Sequence, residues 1–241
     1  MSDTYKTSSI GDYLNGNPYP GRGIALGLSE DGKNAAFAYF IMGRSANSRN
    51  RVFVAEGDDV QIRPYDESKV EDPSLIIYYP VRKAGKRTIV TNGDQTDTIF
   101  DYLAKDESFE DALRTRTFEP DAPNYTPRIS GLLCFAHPEG LRYKLSILKS
   151  ADEAGSACIR EFFQYEAVPG LGHIIHTYDT DGNPLPTFTG DPRRIRIPND
   201  IDEMTNAVWE NLDEENKISL CVRYISMSDG TQETRIINKY K

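Results

Sequence analysis

Only three cysteines stand in the 241 residues, Cys134, Cys158 and Cys221, and they are far apart. A disulfide framework or a zinc cage needs paired or closely spaced thiols, so neither is expected. Each cysteine lies among apolar residues, where a free thiol packs as a small core side chain. The expected compartment is therefore the reducing cytoplasm. Long hydrophobic runs are missing as well. The best apolar stretches are ALGL, AAFAYFIM, LIIYY, ISGLLCF and GHIIH, all far below the ~20 residues of a membrane span. The first fourteen residues show no basic region followed by an apolar run, so no secretory signal is expected. Positive charge is in deficit, with 28 Lys and Arg against 37 Asp and Glu, a net charge of −9. That balance argues against general binding to nucleic acid or to anionic membranes, and any anion recognised must meet a local basic cluster. There are three histidines, no H-E-x-x-H and no paired C-x-x-C, so a metal site is disfavoured and no cofactor is expected.

What is present suffices for one ordinary core. Residues 1–14 form a polar leader with at most one helical turn at SIGDYL, and NGNPYPGRG (15–23) reads as a loop of fixed shape. Strands are expected at 23–29 and 35–43, forming a hairpin over EDGKN, and their near-continuous apolar character suggests cover on both faces. Further strands read at RVFVAEG, VQIRPYD, 74–81 and 87–93. Residues 96–118 are the clearest helical region, two helices broken near Asp106–Ser108. Then ISGLLCFA pairs with 141–149, 157–168 pairs with 172–180, a short amphipathic helix spans 201–212, and 218–227 zips to 234–241. Strands, then helices, then more strands define an α+β protein with large antiparallel sheets and helices packed outside, read as one domain over 1–241.

Several motifs are decoys. GRGIALG has glycines spaced G-x-G-x-x-x-G, follows a loop and precedes a strand, whereas a dinucleotide fingerprint follows a strand and opens a helix. DTDGN (179–183) opens like a calcium loop, but Pro184 replaces the required glycine and Gly190 the bidentate glutamate. His173 and His176 lie three apart on a strand, which sends them to opposite faces and denies them a shared metal.

Other segments carry chemistry. Between Phe40 and Val54 stand Arg44, Arg49 and Arg51 with no acid before Glu56. The hairpin returns its second strand to the level of Arg22, so Arg22 and Arg44 land at one end of the sheet. Guanidinium groups converging there suit a phosphate, with Asn47, Ser48 and Asn50 as neutral donors. The bland alternative is a solvated polar loop. TNGDQTD (91–97) runs from a strand end into a helix. Asp94, Thr96 or Asp97 can cap that helix, while Asn92 and Gly93 form a tight turn able to face a ligand. Three prolines stiffen 119–128, where Glu119 and Tyr125 could serve acid/base work. Arg193, Arg194 and Arg196 alternate as a solvated face.

Taken together, NGNPYPGRGI, MGRSANSRNRVF, IIYYPV, VTNGDQTD and NYTPRISG resemble the IMP cyclohydrolase family of the archaeal type. The resemblance covers about residues 15–131. It implies a four-layer αββα sandwich like that of the N-terminal-nucleophile hydrolases, put to a different reaction. That reaction is the dehydrative closure of 5-formamidoimidazole-4-carboxamide ribonucleotide to IMP, with no cofactor and with a purine ribonucleotide monophosphate as the bound partner. The site implied takes Arg22, Arg44, Arg49 and Arg51 as the phosphate cradle, with Asn47, Ser48 and Asn50. The family's loop arginine corresponds to Arg49 or to Arg51. Tyr78, an arginine (Arg44 among them) or Asn92 stabilises the formyl oxyanion, and Glu119 is the acid/base group. Asn92, Gly93, Asp94, Asn124, Tyr125 and Arg128 complete the substrate contacts. Tyr78 and Tyr79 face opposite ways, and the I-x-Y pattern favours Tyr78. Assembly into a homo-oligomer is plausible for such a family. Two other readings stand beside this one: an N-terminal-nucleophile amidohydrolase, for which Ser2 is only a formal candidate, and a non-catalytic purine-monophosphate-binding paralogue.

Overall fold

The computed structural model describes residues 5–70, 78–135 and 140–240. Its centre is the hairpin of β1 (Arg22–Leu28) and β2 (Asn34–Met42). Both strands are buried almost end to end, which is why they lack the polar alternation of a half-solvated strand. Phe37, Tyr39 and Ile41 point to one side of the sheet and Ala36, Ala38, Phe40 and Met42 to the other. Fully burying a large side chain such as Phe37 or Phe40 stabilises the fold by about 2–3 kcal/mol.

Around this hairpin stands an antiparallel sheet that also contains β10 (Leu171–His176), β11 (Arg193–Arg196), β12 (Lys217–Ser226) and β13 (Gln232–Asn238), in the order β11-β10-β1-β2-β12-β13. The second sheet is antiparallel and sequential. It runs through β3 (Val52–Glu56), β4 (Asp59–Arg63), β5 (Val81–Ala84), β6 (Arg87–Thr91), β7 (Arg128–Cys134), β8 (Arg142–Ser150) and β9 (Cys158–Glu166). Three apolar clusters define the layers. One joins the facing sides of the two sheets, through Ile24, Leu26 and Tyr39 on one and Val90, Ile129 and Leu145 on the other. A second seats α1 (Ile10–Leu14) and α5 (Ile201–Trp209) on the outer face of the first sheet. The third seats α3 (Gln95–Leu103) and α4 (Phe109–Arg114) on the outer face of the second. Among the described residues the protein is thus α+β, two face-to-face antiparallel sheets with α1 and α5 on one outer face and α3 and α4 on the other.

The expected hairpins β1–β2, β7–β8 and β12–β13 are present. The expected pairing of 157–168 with 172–180 is not. β9 pairs with β8, whereas β10 pairs with β1 and β11, so the chain crosses between sheets over residues 167–170. Burial explains the outcome: β9 is a half-exposed edge, while β10 is buried almost throughout and needs neighbours on both sides. Of the strand expected at 74–81, residues 74–77 lie outside the described residues, and β5 begins only at Val81. The polar stretch 43–51 contains a single helical turn, α2 (Ala46–Arg49), and α5 ends at Trp209 rather than at 212. Among the described residues no helix is long and apolar enough to cross a membrane.

Candidate active site

The open end of the sandwich where β1 begins and β2 ends holds a cavity of about 370 Å³. Five separate segments reach it: Arg22 from β1, Ser45, Asn47, Ser48 and Arg51 from the loop around α2, Tyr78 before β5, Asn92 to Asp94 after β6, and Glu119 to Asp121 with Arg128 before and in β7.

Arg22 is aimed by its neighbour. Gly21 has φ +78°, and a Cβ there would stand 2.2 Å from Thr177 Oγ1, the atom that accepts the Arg22 backbone N–H at 3.1 Å. Only glycine fits that turn. The Arg22 Nε–H is buried with no hydrogen-bond partner among the described residues, and the same holds for Asn47 Oδ1. An unpaired donor and an unpaired acceptor on one cavity wall are what a polar ligand would satisfy.

The α2 loop is built by a reciprocal cap. Ser45 Oγ accepts the Ser48 N–H at 3.1 Å, and Ser48 Oγ accepts the Ser45 N–H at 3.0 Å. Gly43 lets that turn close, since a Cβ would meet Ser48 Oγ at 2.3 Å. The turn divides the loop arginines. Arg51 is buried, donates Nε–H to the Ser48 carbonyl at 2.9 Å and lines the cavity. Burial and the neighbouring Arg22 charge both push it below its ordinary value. Arg49 turns away, donating to the Gly43 carbonyl at 3.1 Å and to Asn216 Oδ1 at 3.4 Å. Arg44 is outside the cavity. Its guanidinium pairs with Asp181, donates to the Gly182 carbonyl at 3.2 Å and lies 5.0 Å over the Tyr19 ring. The Asn50 side chain is spent on the Asp66 backbone, at 2.8 and 2.7 Å.

Asn92 is structural at close range. Its Oδ1 accepts from the Ile129 N–H and Gln95 Nε2, each at 2.9 Å, and its Nδ2 donates to the Pro127 carbonyl at 2.9 Å. This clamps the β6 end to the start of β7, which brings Gly93 and Arg128 to the same wall. Asp94 occupies the N-cap position of α3 without capping it through its side chain. Instead one oxygen accepts from Arg128 at 2.6 Å and the other from Arg116 at 2.5 Å. Burial would raise its carboxyl, but hydrogen bonds and charge from the two arginines outweigh it and hold the group below the usual range. Asn124 and Tyr125 face away. Asn124 Oδ1 accepts the Leu185 N–H at 3.0 Å, and the Tyr125 hydroxyl donates to the Ala154 carbonyl at 3.0 Å.

Glu119 and Tyr78 both line the cavity. Burial raises the Glu119 carboxyl above its ordinary value, opposed by the charges of Arg22, Arg128 and Arg51. Burial also raises Tyr78, against Arg51 and Arg22, so its phenol stays protonated and able to donate. Its oxygen is 3.3 Å from that of the buried Tyr39. Tyr79 points the other way and donates to Glu56 at 2.9 Å. Burial turns both strand histidines neutral, pulling His173 and His176 down to about 4. They face opposite sides of β10, His173 against Tyr143 and His176 against Tyr13. Sequence reasoning missed Ser45, Pro120 and Asp121 on the cavity wall. For Asp121 a faint signal existed, a short acid in a proline-rich loop able to accept from backbone N–H groups ahead of it.

The two-sheet sandwich thus gathers arginines, a tyrosine and a carboxylate of raised pKa around one cavity at its end. The model of the IMP cyclohydrolase-like protein family matches residues 19–230, and the chain belongs to that family. It is 34% identical over 119 residues to an IMP cyclohydrolase of Methanothrix thermoacetophila, covering 48% of this chain and 57% of that protein. A Methanococcus aeolicus IMP cyclohydrolase is 32% identical over 119 residues, covering 48% and 58%. One from Methanopyrus kandleri is 35% identical over 184 residues, covering 70% and 89%. In the first two comparisons the chain spans a little more than half of the relative's length.

Proposed function

We propose that the chain is an IMP cyclohydrolase, closing 5-formamidoimidazole-4-carboxamide ribonucleotide to IMP with loss of water. The observation that carries this is the convergence of Glu119, Tyr78, Arg22 and Arg51 on one cavity in a chain of this family. The carboxamide nitrogen is a poor nucleophile, and holding it against the formyl carbon is a major source of rate. Arg51, with the turn from Ser45 to Ser48, takes the monophosphate. Arg128 is screened by Asp94 and borders the same cavity. Tyr78 and the unpaired Arg22 Nε–H donate to the formyl oxygen as the carbon–nitrogen bond forms and charge develops on it. Glu119 removes a proton from the attacking nitrogen and passes it to the formyl oxygen, giving a carbinol. The carbinol C–O bond then breaks and a C=N bond forms as the formamido nitrogen gives up its proton, which Glu119 relays to the departing oxygen. The water that leaves carries one hydrogen from each nitrogen. Its raised carboxyl suits both directions of transfer. Arg44 and Arg49 have no part in this cradle.

The same reading takes the layering of helices and sheets as the N-terminal-nucleophile hydrolase arrangement turned to another reaction, with the whole chain as one domain. Arg22 opens β1, where that class of hydrolase carries its nucleophile. Three free cysteines support a reducing, cytoplasmic setting, and self-association into a homo-oligomer belongs to the proposal. The test is conversion of the formylated ribonucleotide to IMP by purified, chelator-treated protein, followed by ultraviolet absorbance. Turnover supports the reading. Tight IMP binding without turnover would replace it with the binding-protein reading.

A further inference from the structure

Asp121 lies on the cavity wall two residues after Glu119, and it is the hub of the loop that carries Glu119. One of its carboxylate oxygens accepts the Thr126 N–H at 2.6 Å, and the other accepts the Thr126 hydroxyl at 2.5 Å. Its carbonyl accepts the N–H groups of Asn124 and Tyr125, at 3.0 and 3.3 Å. The Glu119 N–H donates to the Thr126 carbonyl at 2.9 Å and closes the ring. Glu119 is thus tied to Thr126, and Thr126 is tied twice to Asp121.

The chain of bonds continues inward. Thr126 Oγ1 is 2.7 Å from the hydroxyl oxygen of Tyr178, a buried residue stacked on Tyr19 with ring centres 5.9 Å apart. Its direction follows from counting protons. The Thr126 hydroxyl gives its single proton to Asp121, so Tyr178 must donate to Thr126. Burial raises the Tyr178 phenol, which keeps it a donor.

We propose that Asp121 is a positioning residue of the ring-closing site, holding the Glu119 loop in register through a donor chain that runs from Tyr178 through Thr126. This rests on the cyclohydrolase reading. Asparagine cannot keep the chain intact. Its amide carbonyl can still accept the Thr126 N–H, but its NH₂ then faces Thr126 Oγ1 as a donor. Thr126 Oγ1 can accept from it and from Tyr178, but the Thr126 hydroxyl proton, or the Tyr178 proton if Thr126 turns toward it, is left buried without an acceptor.

The experiment compares wild type, Asp121→Asn and Thr126→Val in IMP formation, IMP affinity, thermal unfolding and pH profile. Displacing a catalytic group by about 1 Å can cost about 100-fold in rate. Asp121→Asn is therefore expected to lower kcat about 10- to 100-fold with KM and IMP affinity kept within about threefold. Thr126→Val, which is isosteric and keeps the backbone bond to Asp121, is expected to lower kcat about 3- to 10-fold. The acid limb of the profile should move to lower pH in Asp121→Asn, because one negative neighbour is lost while Arg22, Arg51, Arg128 and Tyr78 still face Glu119. Wild-type kcat and profile in both variants would overturn the inference. So would a loss of IMP affinity as large as the loss of kcat, which would make Asp121 a direct ligand group. If Asp121→Asn fails to fold, Thr126→Val alone decides. A wild type that forms no IMP would bring down the cyclohydrolase reading and this inference with it, whereas an active wild type with unaltered variants brings down only the inference.

Discussion

Replacing Glu119 with glutamine removes one proton-transfer group and almost no volume. Positioned acid/base catalysis contributes about 100- to 10,000-fold, or about 3–5.5 kcal/mol of barrier, so kcat should fall by that factor. Binding should behave oppositely. Glu119 is an anion among Arg22, Arg51 and Arg128, and its removal leaves those cations less screened for a phosphate ester. IMP affinity in Glu119→Gln should therefore match wild type or exceed it. Stability gives an independent sign. The Glu119 carboxyl is raised in the folded protein, so its ionised form is more costly there than in the unfolded chain, and the contribution is lost as pH rises through the raised value. Glutamine should leave the midpoint of thermal unfolding at pH 7.5 unchanged or higher. The assay is steady-state IMP formation from pH 5 to 9, with calorimetric titration of IMP. In wild type an acid limb should lie above the ordinary carboxylate value, and in the variant it should vanish. A variant with kcat within about threefold of wild type would refute the role, as would parallel losses of kcat and IMP affinity.

Arg51→Met removes charge-assisted hydrogen bonds worth about 1.5–3 kcal/mol and should weaken IMP about 10- to 150-fold in calorimetric titration. Arg44→Ala loses an exposed pair with Asp181, a bond to the Gly182 carbonyl and the contact over Tyr19, all outside the cavity, and IMP affinity should stay within about threefold. Gly21→Ala places a Cβ at φ +78° against Thr177 and should cost at least about 2 kcal/mol in urea unfolding, with lower activity through Arg22; an unchanged midpoint would contradict that. Burial holds His176 at about 4, so it stays neutral in the fold while the unfolded chain takes up its proton below about 6.5. Stability should therefore fall between pH 6.5 and pH 5, by about 2 kcal/mol for His176 with His173 adding to it, and a flat urea midpoint over that window would contradict the burial argument.

The hairpin of β1 and β2 was legible because two long apolar runs flank a turn. Its register also brings Arg22 and Arg44 to one sheet end, as the sequence implied. Direction is what spacing could not supply. Arg44 follows Gly43, where the chain leaves the sheet, and it swings onto Tyr19 and Asp181 while Arg22 stays beneath the cavity. One turn of α2 then separates Arg49 from Arg51, which sequence alone left interchangeable. Asn92 borders the cavity, yet its amide is spent on Gln95 and on the backbone of Pro127 and Ile129. The role of Asp121 depends on closure of its loop onto Thr126, a contact between two residues five apart that no periodicity reports. The misplaced pairing of β9 with β10 has a similar origin. A short connector normally joins neighbours in one sheet, and here it carries the chain from one sheet to the other.

A crystal structure with IMP bound tests the central claim most directly. Ring closure turns the carboxamide nitrogen into N1 and the formyl carbon into C2, so these atoms must sit where the proton transfers occur. The account predicts IMP in the cavity at the start of β1, its phosphate on Arg51 and the Ser45–Ser48 turn, and its N1–C2 edge within hydrogen-bonding reach of Glu119 and Tyr78. IMP bound outside this cavity, or held with its phosphate against Glu119 and its purine toward Arg51, would contradict it.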